Sequence, residues 1–142
     1  MDLLNQTKDL SRFKLSSIQT QGKVLSIYDG DTLDLALILP LSQLTSCIQC
    51  NPNVLNESII MRMKCRLAHL DAVELKTPNG KEAKNILSTM CMDKIIHCHL
   101  GDFDKYGRLL VDLYLDSIHI NSYLVSSYPH LFVAYEGGKK TL

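Results

Sequence analysis

The sequence predicts a β-rich α+β fold, a five-stranded OB-type Greek-key barrel with two packed helices. Five short segments are predicted as strands, and three of them alternate between apolar and polar residues with the period of two that is typical of half-buried strands. A segment after the third strand changes to helical periodicity, and a second, shorter helical segment follows the last strand. With 142 residues, of which 46% are hydrophobic, the chain is large enough for one domain with its own core.

The first two strands are predicted to form a hairpin from residues 24–28 and 32–39. Asp29 and Gly30 between them are a turn signal, and every second residue of the second strand is a leucine. Residues 40–58 follow, a polar stretch that prolines interrupt. We interpret this stretch as an extended loop or insertion within the same domain.

The third predicted strand, SIIMRMKCRLA at residues 58–68, has an apolar face beneath a basic stripe. Met61 and Met63 lie on the apolar face, and we expect them to fill the core. Arg62 and Lys64 lie on the opposite face, and we interpret both as solvated.

Helical periodicity begins at Asn79, which we expect to cap the first helix, with Glu82 three residues later. Residues 94–100 and 109–116 are predicted as the fourth and fifth strands. Asn121 is expected to cap a last short helix that a following proline ends. The predicted element order is therefore β-β-β-α-β-β-α.

These elements divide the chain into three parts. Residues 1–20 are predicted to be a polar lead-in, residues 21–136 the barrel domain, and residues 137–142 a basic, flexible C-terminus. The sequence leaves open whether the lead-in or a partner chain completes the core, so a homodimer is one alternative.

Charge and composition limit the function classes. A net charge of zero argues against a protein that coats nucleic acid indiscriminately, although it permits a local basic cleft. Five cysteines without small-scaffold spacing indicate reduced thiols and an intracellular location, in the cytoplasm or, for a viral protein, the host cytoplasm. The chain has neither the apolar core of a signal peptide nor a run of about 20 apolar residues, so we expect no membrane partner.

Three predicted turns at strand ends carry the charged residues that point to chemistry. They are residues 29–32 (DGDT), residues 66–74 (RLAHLDAVE) and residues 104–108 (DKYGR). Together they offer carboxylates for a hard cation, a further glutamate and two arginines suited to bidentate contact with phosphate. These are the groups that hydrolysis of a phosphodiester requires.

The same segments resemble the staphylococcal (micrococcal) nuclease family, also called thermonuclease-like. YDGDTLDL, RLAHLDAVE, the GKEA helix start and DKYGRLL occur in the family's order, and the resemblance runs over residues 24–135. It implies the family's five-stranded OB barrel and a calcium-dependent hydrolysis of DNA and RNA that leaves 3′-phosphate ends.

The resemblance also implies a cation site and a water site. Asp31 and Asp71 match the family's carboxylate ligands to Ca²⁺. Ala72 matches a position that binds the ion through its main-chain carbonyl, which does not depend on the side chain. Glu74 matches the residue that orients or deprotonates the attacking water.

Four further positions match residues that contact the substrate. Arg66 and Arg108 match the arginines that hold the scissile phosphate and stabilise its transition state. Tyr106 matches a tyrosine near the terminal phosphate of a bound nucleotide. Tyr135 matches a position that supports a base or sugar, which an aromatic ring can do without reading sequence.

Several other residues have simpler interpretations. We expect Asp29 to serve the turn through its own backbone bonds and Asp34 to lie on a solvated face. Cys47 and Cys50 form a C-x₂-C pair, but a pair without a matching second one is weak evidence for zinc.

A second function stays open on the same barrel. A catalytically weak or inactive domain could bind nucleic acid as a scaffold, and the low net charge favours it. The retention of all the charged positions of the three turns favours the nuclease.

Overall fold

Five strands close into a barrel, as the sequence predicts. The computed structural model describes residues 2–137 and the backbone of residues 139–141. The strands in chain order are β1 Gln19–Ile27, β2 Thr32–Pro40, β3 Ser58–Leu67, β4 Leu70–Ala72, β5 Ile95–Phe103, β6 Leu109–Leu115, β7 Ile118–His119, β8 Phe132–Glu136 and β9 Lys139–Thr141. The helices are α1 Pro78–Cys91 and α2 Ile120–Ser127.

The barrel strands follow the order β3-β2-β1-β5-β6, with β7 added beside β6. All of these neighbours are antiparallel. Closure comes from a short parallel pairing of β3 with β6, in which Arg66 lies opposite Leu110. A smaller sheet of β4, β8 and β9 lies beside the barrel. The predicted fold class and element order are confirmed, and the structure adds the four short strands β4, β7, β8 and β9.

The core is filled mainly by the alternating apolar residues that predicted the strands. The leucines of β2 are fully buried, as are Leu109 and Leu113 of β6. Leu15 and Ile18 are also buried there, although they precede residue 21, where the sequence suggested that the domain begins. The predicted loop at residues 40–58 contains two short 3₁₀ helices, Leu41–Leu44 and Pro52–Val54. It contributes the buried Leu44 to the core.

Two predictions about strand faces were wrong. Asp34 is buried rather than solvated, because it accepts hydrogen bonds from Tyr28 Oη (3.0 Å) and Arg62 Nε (2.8 Å). A buried carboxylate needs such partners, and a position on the outer face of β2 next to β3 supplies them. Met61 is exposed rather than part of the core, since it lies on the part of β3 beyond the closing pairs with β6.

The predicted cap of α1 was displaced by two residues. Thr77 rather than Asn79 is the N-cap, and its Oγ1 accepts the N–H of Gly80 at 2.9 Å. Pro78 then occupies the first helical position, where a missing N–H costs nothing.

Asn121 is not the cap of α2, because the residue before the helix is His119. Asn121 is buried instead, and its side chain holds three backbone groups. Its Nδ2 donates to the carbonyls of Ala68 and Val111, both at 3.0 Å, and its Oδ1 accepts the N–H of Leu113 at 3.0 Å. This side chain ties the turn after β3 to β6, close to the end of the barrel that carries the charged turns.

In the part of the chain that the structure describes, neither helix has the length and hydrophobicity needed to span a bilayer. The predicted basic C-terminus lies partly outside the described residues. For this segment the structure describes the backbone pairing of Lys139–Thr141 with β8.

Candidate functional site

The register of the barrel brings the three charged turns together. Thr32 at the start of β2 lies opposite Arg66 near the end of β3, and Arg66 in turn lies opposite Leu110 near the start of β6. The carbonyl of Asp31 also accepts the N–H of Leu67 at 2.8 Å. The first turn, the end of β3 and the third turn therefore meet at one end of the barrel.

Asp31 is the buried carboxylate of this site, with 5% of its surface exposed. Its Oδ2 accepts the N–H of Ala72 at 3.0 Å and lies 3.3 Å from Arg66 Nη1. Its Oδ1 accepts the hydroxyl of Thr32 at 3.0 Å. The neighbouring Asp29 instead accepts the N–H groups of residues 31 and 32, so its side chain serves the turn as expected.

Burial is the largest effect on Asp31 and raises its pKa to about 6 from the usual 3.8. The N–H of Ala72 and the charge of Arg66 oppose this rise, while Asp29 adds to it. The folded protein therefore binds this proton more tightly than the unfolded chain. The resulting stabilisation is complete below pH 3.8 and disappears as the pH rises through about 6.

We therefore expect Asp31→Asn to gain stability relative to the wild type as the pH rises from 4 to 7. The relative gain is at most about 3 kcal/mol in the free energy of unfolding, because asparagine has no ionisation to suppress. Urea denaturation of both proteins in a chelator, at intervals of one pH unit, measures it. A difference between the two proteins that stays constant over this range would contradict the prediction.

Arg66 lies between two carboxylates and is 14% exposed at its side chain. Its Nη2 donates to Asp71 Oδ1 at 3.2 Å and to the carbonyl of Leu70 at 3.1 Å, while Nη1 faces Asp31. The ring of Tyr135 lies 5.6 Å from its guanidinium carbon, within the range of a cation–π contact. These contacts fix the planar guanidinium at the mouth of the site.

Arg108 is held from the other side by the third turn. Its Nε donates to Asp104 Oδ2 at 2.8 Å, and its Nη1 donates to Thr32 Oγ1 at 3.2 Å. Asp104 Oδ1 also accepts the backbone N–H groups of Tyr106 and Arg108, both at 2.9 Å. Asp104 thus orients the arginine four residues after it.

A cavity of about 540 Å³ opens between these groups. Five of the predicted site residues line it together: Arg66, Asp71, Tyr106, Arg108 and Tyr135. Asp31 and Ala72 are not among the described residues that line the cavity, although both contact the group around Arg66.

Glu74 is also not among the described residues that line the cavity. Its side chain is 74% exposed and lies 3.4 Å from the ammonium group of Lys76. Its backbone is fixed, because the Glu74 carbonyl accepts both the hydroxyl (2.7 Å) and the N–H (3.1 Å) of Thr77 at the cap of α1. The role of Glu74 therefore stays a prediction that requires its side chain to rotate.

The oxygen groups near Arg66 fit a hard cation in their chemistry. Asp31 and Asp71 lie on either side of one guanidinium, and the backbone of Ala72 bonds to Asp31. Carboxylates, carbonyls and water are the ligands that Ca²⁺ prefers. Within the described residues, no three His, Cys, Asp or Glu side chains form a group that could hold a metal ion. A cation here would depend on the two carboxylates, backbone oxygen and water.

Sequence reasoning missed two residues that line the cavity, His69 and Glu136. His69 Nδ1 lies 2.6 Å from Glu136 Oε1, and the backbone of His69 has a positive φ of 66° in the turn between β3 and β4. Periodicity gives no signal for either residue, since they meet only through the pairing of β4 with β8.

Comparison with known proteins agrees with this geometry. Residues 64–128 match the family model described as staphylococcal nuclease homologue. That range contains Arg66, Asp71, Glu74 and Arg108.

Curated plant proteins give further matches. The chain is 33% identical over 75 residues to a probable staphylococcal-like nuclease, CAN1, of Oryza sativa subsp. japonica, which covers 52% of this chain and 23% of that protein. It is 28% identical over 72 residues to CAN3 of the same organism, also named a probable staphylococcal-like nuclease. This match covers 51% of this chain and 19% of that protein. An uncharacterized 38.1 kDa protein of Capnoides sempervirens is 38% identical over 60 residues. This match covers 42% of this chain and 18% of that protein. The matches thus span roughly a fifth of these relatives' own length. Over residues 64–128 the chain is thus similar to staphylococcal nuclease homologues, and the closed barrel agrees with that similarity.

Proposed function

We propose that the protein is a calcium-dependent nuclease that hydrolyses phosphodiester bonds in DNA, RNA or both. The observation that carries the proposal is the convergence of Arg66, Arg108 and Asp71 on one cavity, above the buried carboxylate of Asp31. Two arginine forks provide the bidentate donors that a phosphate with developing negative charge requires. The names of the rice relatives support the same activity.

Each residue has a distinct task in this proposal. Asp31, Asp71 and the main-chain carbonyl of Ala72 would hold Ca²⁺, which when bound neutralises charge on the phosphate. Glu74 orients the attacking water and accepts its proton. The water oxygen bonds to phosphorus as the bond to the 5′ oxygen breaks, and the 5′ oxygen takes a proton from solvent. The products are a 3′-phosphate and a 5′-hydroxyl.

The arginines and the two tyrosines complete the site. Arg66 and Arg108 bind the scissile phosphate and stabilise its additional charge in the transition state. The rings of Tyr106 and Tyr135 lie at 5.4 Å from Arg108 and 5.6 Å from Arg66, so both flank the proposed phosphate position. Aromatic rings there can support sugars or bases of any sequence.

The position of Glu74 favours a second candidate function, a catalytically weak or inactive domain that binds nucleic acid. Its carboxylate pairs with Lys76 at the surface rather than facing the cavity. If that pairing persists with substrate bound, the arginines would hold phosphate without an activated water.

Cleavage of labelled single-stranded and duplex DNA, in Ca²⁺ and then in EGTA, separates the two functions. We expect cleavage only with Ca²⁺, and we expect Glu74→Gln to lower its rate by ~10²–10⁴, the usual contribution of a general base. Glu57→Gln is the matched control, because Glu57 is exposed and is not among the described residues that line the cavity. Binding without cleavage at every Ca²⁺ concentration would support the inactive domain instead.

A further inference from the structure

The cavity lining contains two chemically different groups. Arg66 and Arg108 are cations that suit phosphate. His69 and Glu136 form an imidazole–carboxylate pair that lines the same cavity. Tyr135 contacts both groups, since its ring lies 5.6 Å from Arg66 and its N–H donates to the carbonyl of His69.

The pair of His69 and Glu136 is held in place by hydrogen bonds. Tyr135 donates its N–H to the carbonyl of His69 at 3.0 Å, which fixes β8 against the turn after β3. An ionised carboxylate can only accept, so His69 Nδ1 donates to Glu136 Oε1, 2.6 Å away. His69 Nε2 lies 3.8 Å from Asp112 Oδ2, and Asp112 Oδ1 accepts a hydrogen bond from His119 at 2.7 Å. The imidazole thus orients Glu136, while the Glu136 side chain remains 65% exposed to a ligand.

A carboxylate at this position disfavours phosphate, because two negative charges in one cavity repel. It suits a group that only donates hydrogen bonds. In a nucleotide whose phosphate lies on the arginines, that group is the base, and Tyr135 offers a stacking surface beside it.

We propose that Glu136, oriented by His69, reads the Watson–Crick edge of a guanine next to the scissile phosphate. This inference rests on the proposed function. Guanine presents two adjacent donors, N1–H and N2–H₂, which can meet both oxygens of one carboxylate. Adenine and cytosine each place one amino group beside a ring acceptor. Thymine and uracil place one N–H between two carbonyls, which a carboxylate repels.

The same geometry selects single strands. The Watson–Crick edge is available only when a base is unpaired, so a duplex would have to open before Glu136 could contact it. The preference should therefore be for guanine in single-stranded DNA or RNA.

The test uses fluorescently labelled five-nucleotide single strands that are identical except for one central base. Binding is measured in EGTA and cleavage in Ca²⁺, so that recognition and hydrolysis are read separately. We expect the wild type to bind and cleave the guanine strand about tenfold better than the thymine strand, the lower range for a bidentate base contact. We expect Glu136→Gln to reduce this ratio to roughly one, because the amide replaces one acceptor with a donor. Glu57→Gln should leave the ratio unchanged.

The inference is overturned if the wild type shows no guanine preference, or if Glu136→Gln retains it. Cleavage without base preference would contradict the inference about Glu136, while the proposed nuclease activity would still be supported. A guanine preference in binding, without any cleavage in Ca²⁺, would support the inference about Glu136 and contradict the proposed nuclease activity.

Discussion

Replacing Arg108 with alanine is expected to lower the rate of Ca²⁺-dependent cleavage by ~10²–10³, the usual effect of losing one group that stabilises transition-state charge. The reason lies in its geometry, since Asp104 and Thr32 aim its guanidinium across the cavity from Arg66. Initial rates on a single-stranded oligonucleotide at saturating Ca²⁺ measure the effect.

Two companion variants make this result specific. Arg108→Lys keeps the charge but lacks the planar fork, so it should recover only a small part of the rate. Arg12→Ala removes an exposed arginine that is not among the described residues lining the cavity, and its rate should equal that of the wild type. Full activity of Arg108→Lys would show that charge alone matters and would contradict the bidentate role.

Gly80→Ala is expected to destabilise the protein, although the same change elsewhere in a helix usually stabilises it by about 1 kcal/mol. A Cβ at Gly80 would lie 1.7 Å from the carbonyl oxygen of Glu74 and 2.7 Å from the Cα of Leu75. Neither backbone atom can rotate away, so the segment that carries Glu74 must move. We expect a loss of about 1–3 kcal/mol in the free energy of unfolding, as for an overpacked core.

The cleavage rate of Gly80→Ala should fall by more than its loss of folding stability explains. A shift of about 1 Å at a catalytic group can cost ~10²-fold in rate, so cleavage by Gly80→Ala should drop even where the protein is fully folded. Asn85→Ala on the exposed face of α1 is the control, and it should be neutral or slightly stabilising. A stabilised and fully active Gly80→Ala would show that the contact with Glu74 does not position it.

The barrel was predictable from sequence because its strands alternate cleanly and its core positions are mostly leucine. The alternation of β2 and β3 indicates which residues share a face, but the long segment between the two strands does not set their register, so the pairing of Thr32 with Arg66 comes from the structure. Asp34 could not be placed correctly, because its burial depends on Arg62 and Tyr28 reaching over it from elsewhere.

Side-chain direction and long-range contacts limit what a sequence predicts about the site. The spacing from Arg66 to Glu74 predicts that both belong to one segment, but the direction of Glu74 depends on the cap of α1 and on Lys76. Asn121 looked like a cap because asparagine often is one. Its actual partners, Ala68 and Val111, lie 53 and 10 residues earlier in the chain.

The parallel pairing of β3 with β6 has a mechanical consequence. It joins the two strands through three residue pairs, whereas β2 and β3 share nine. Arg66 is one of the three, and Arg108 directly precedes another. The barrel pairing with the fewest residue pairs is therefore also the pairing that sets the spacing of the two arginines. Thermal fluctuations that break the β3–β6 pairing would separate the arginines before the other strand pairings of the barrel open. Loss of activity on heating should then precede global unfolding.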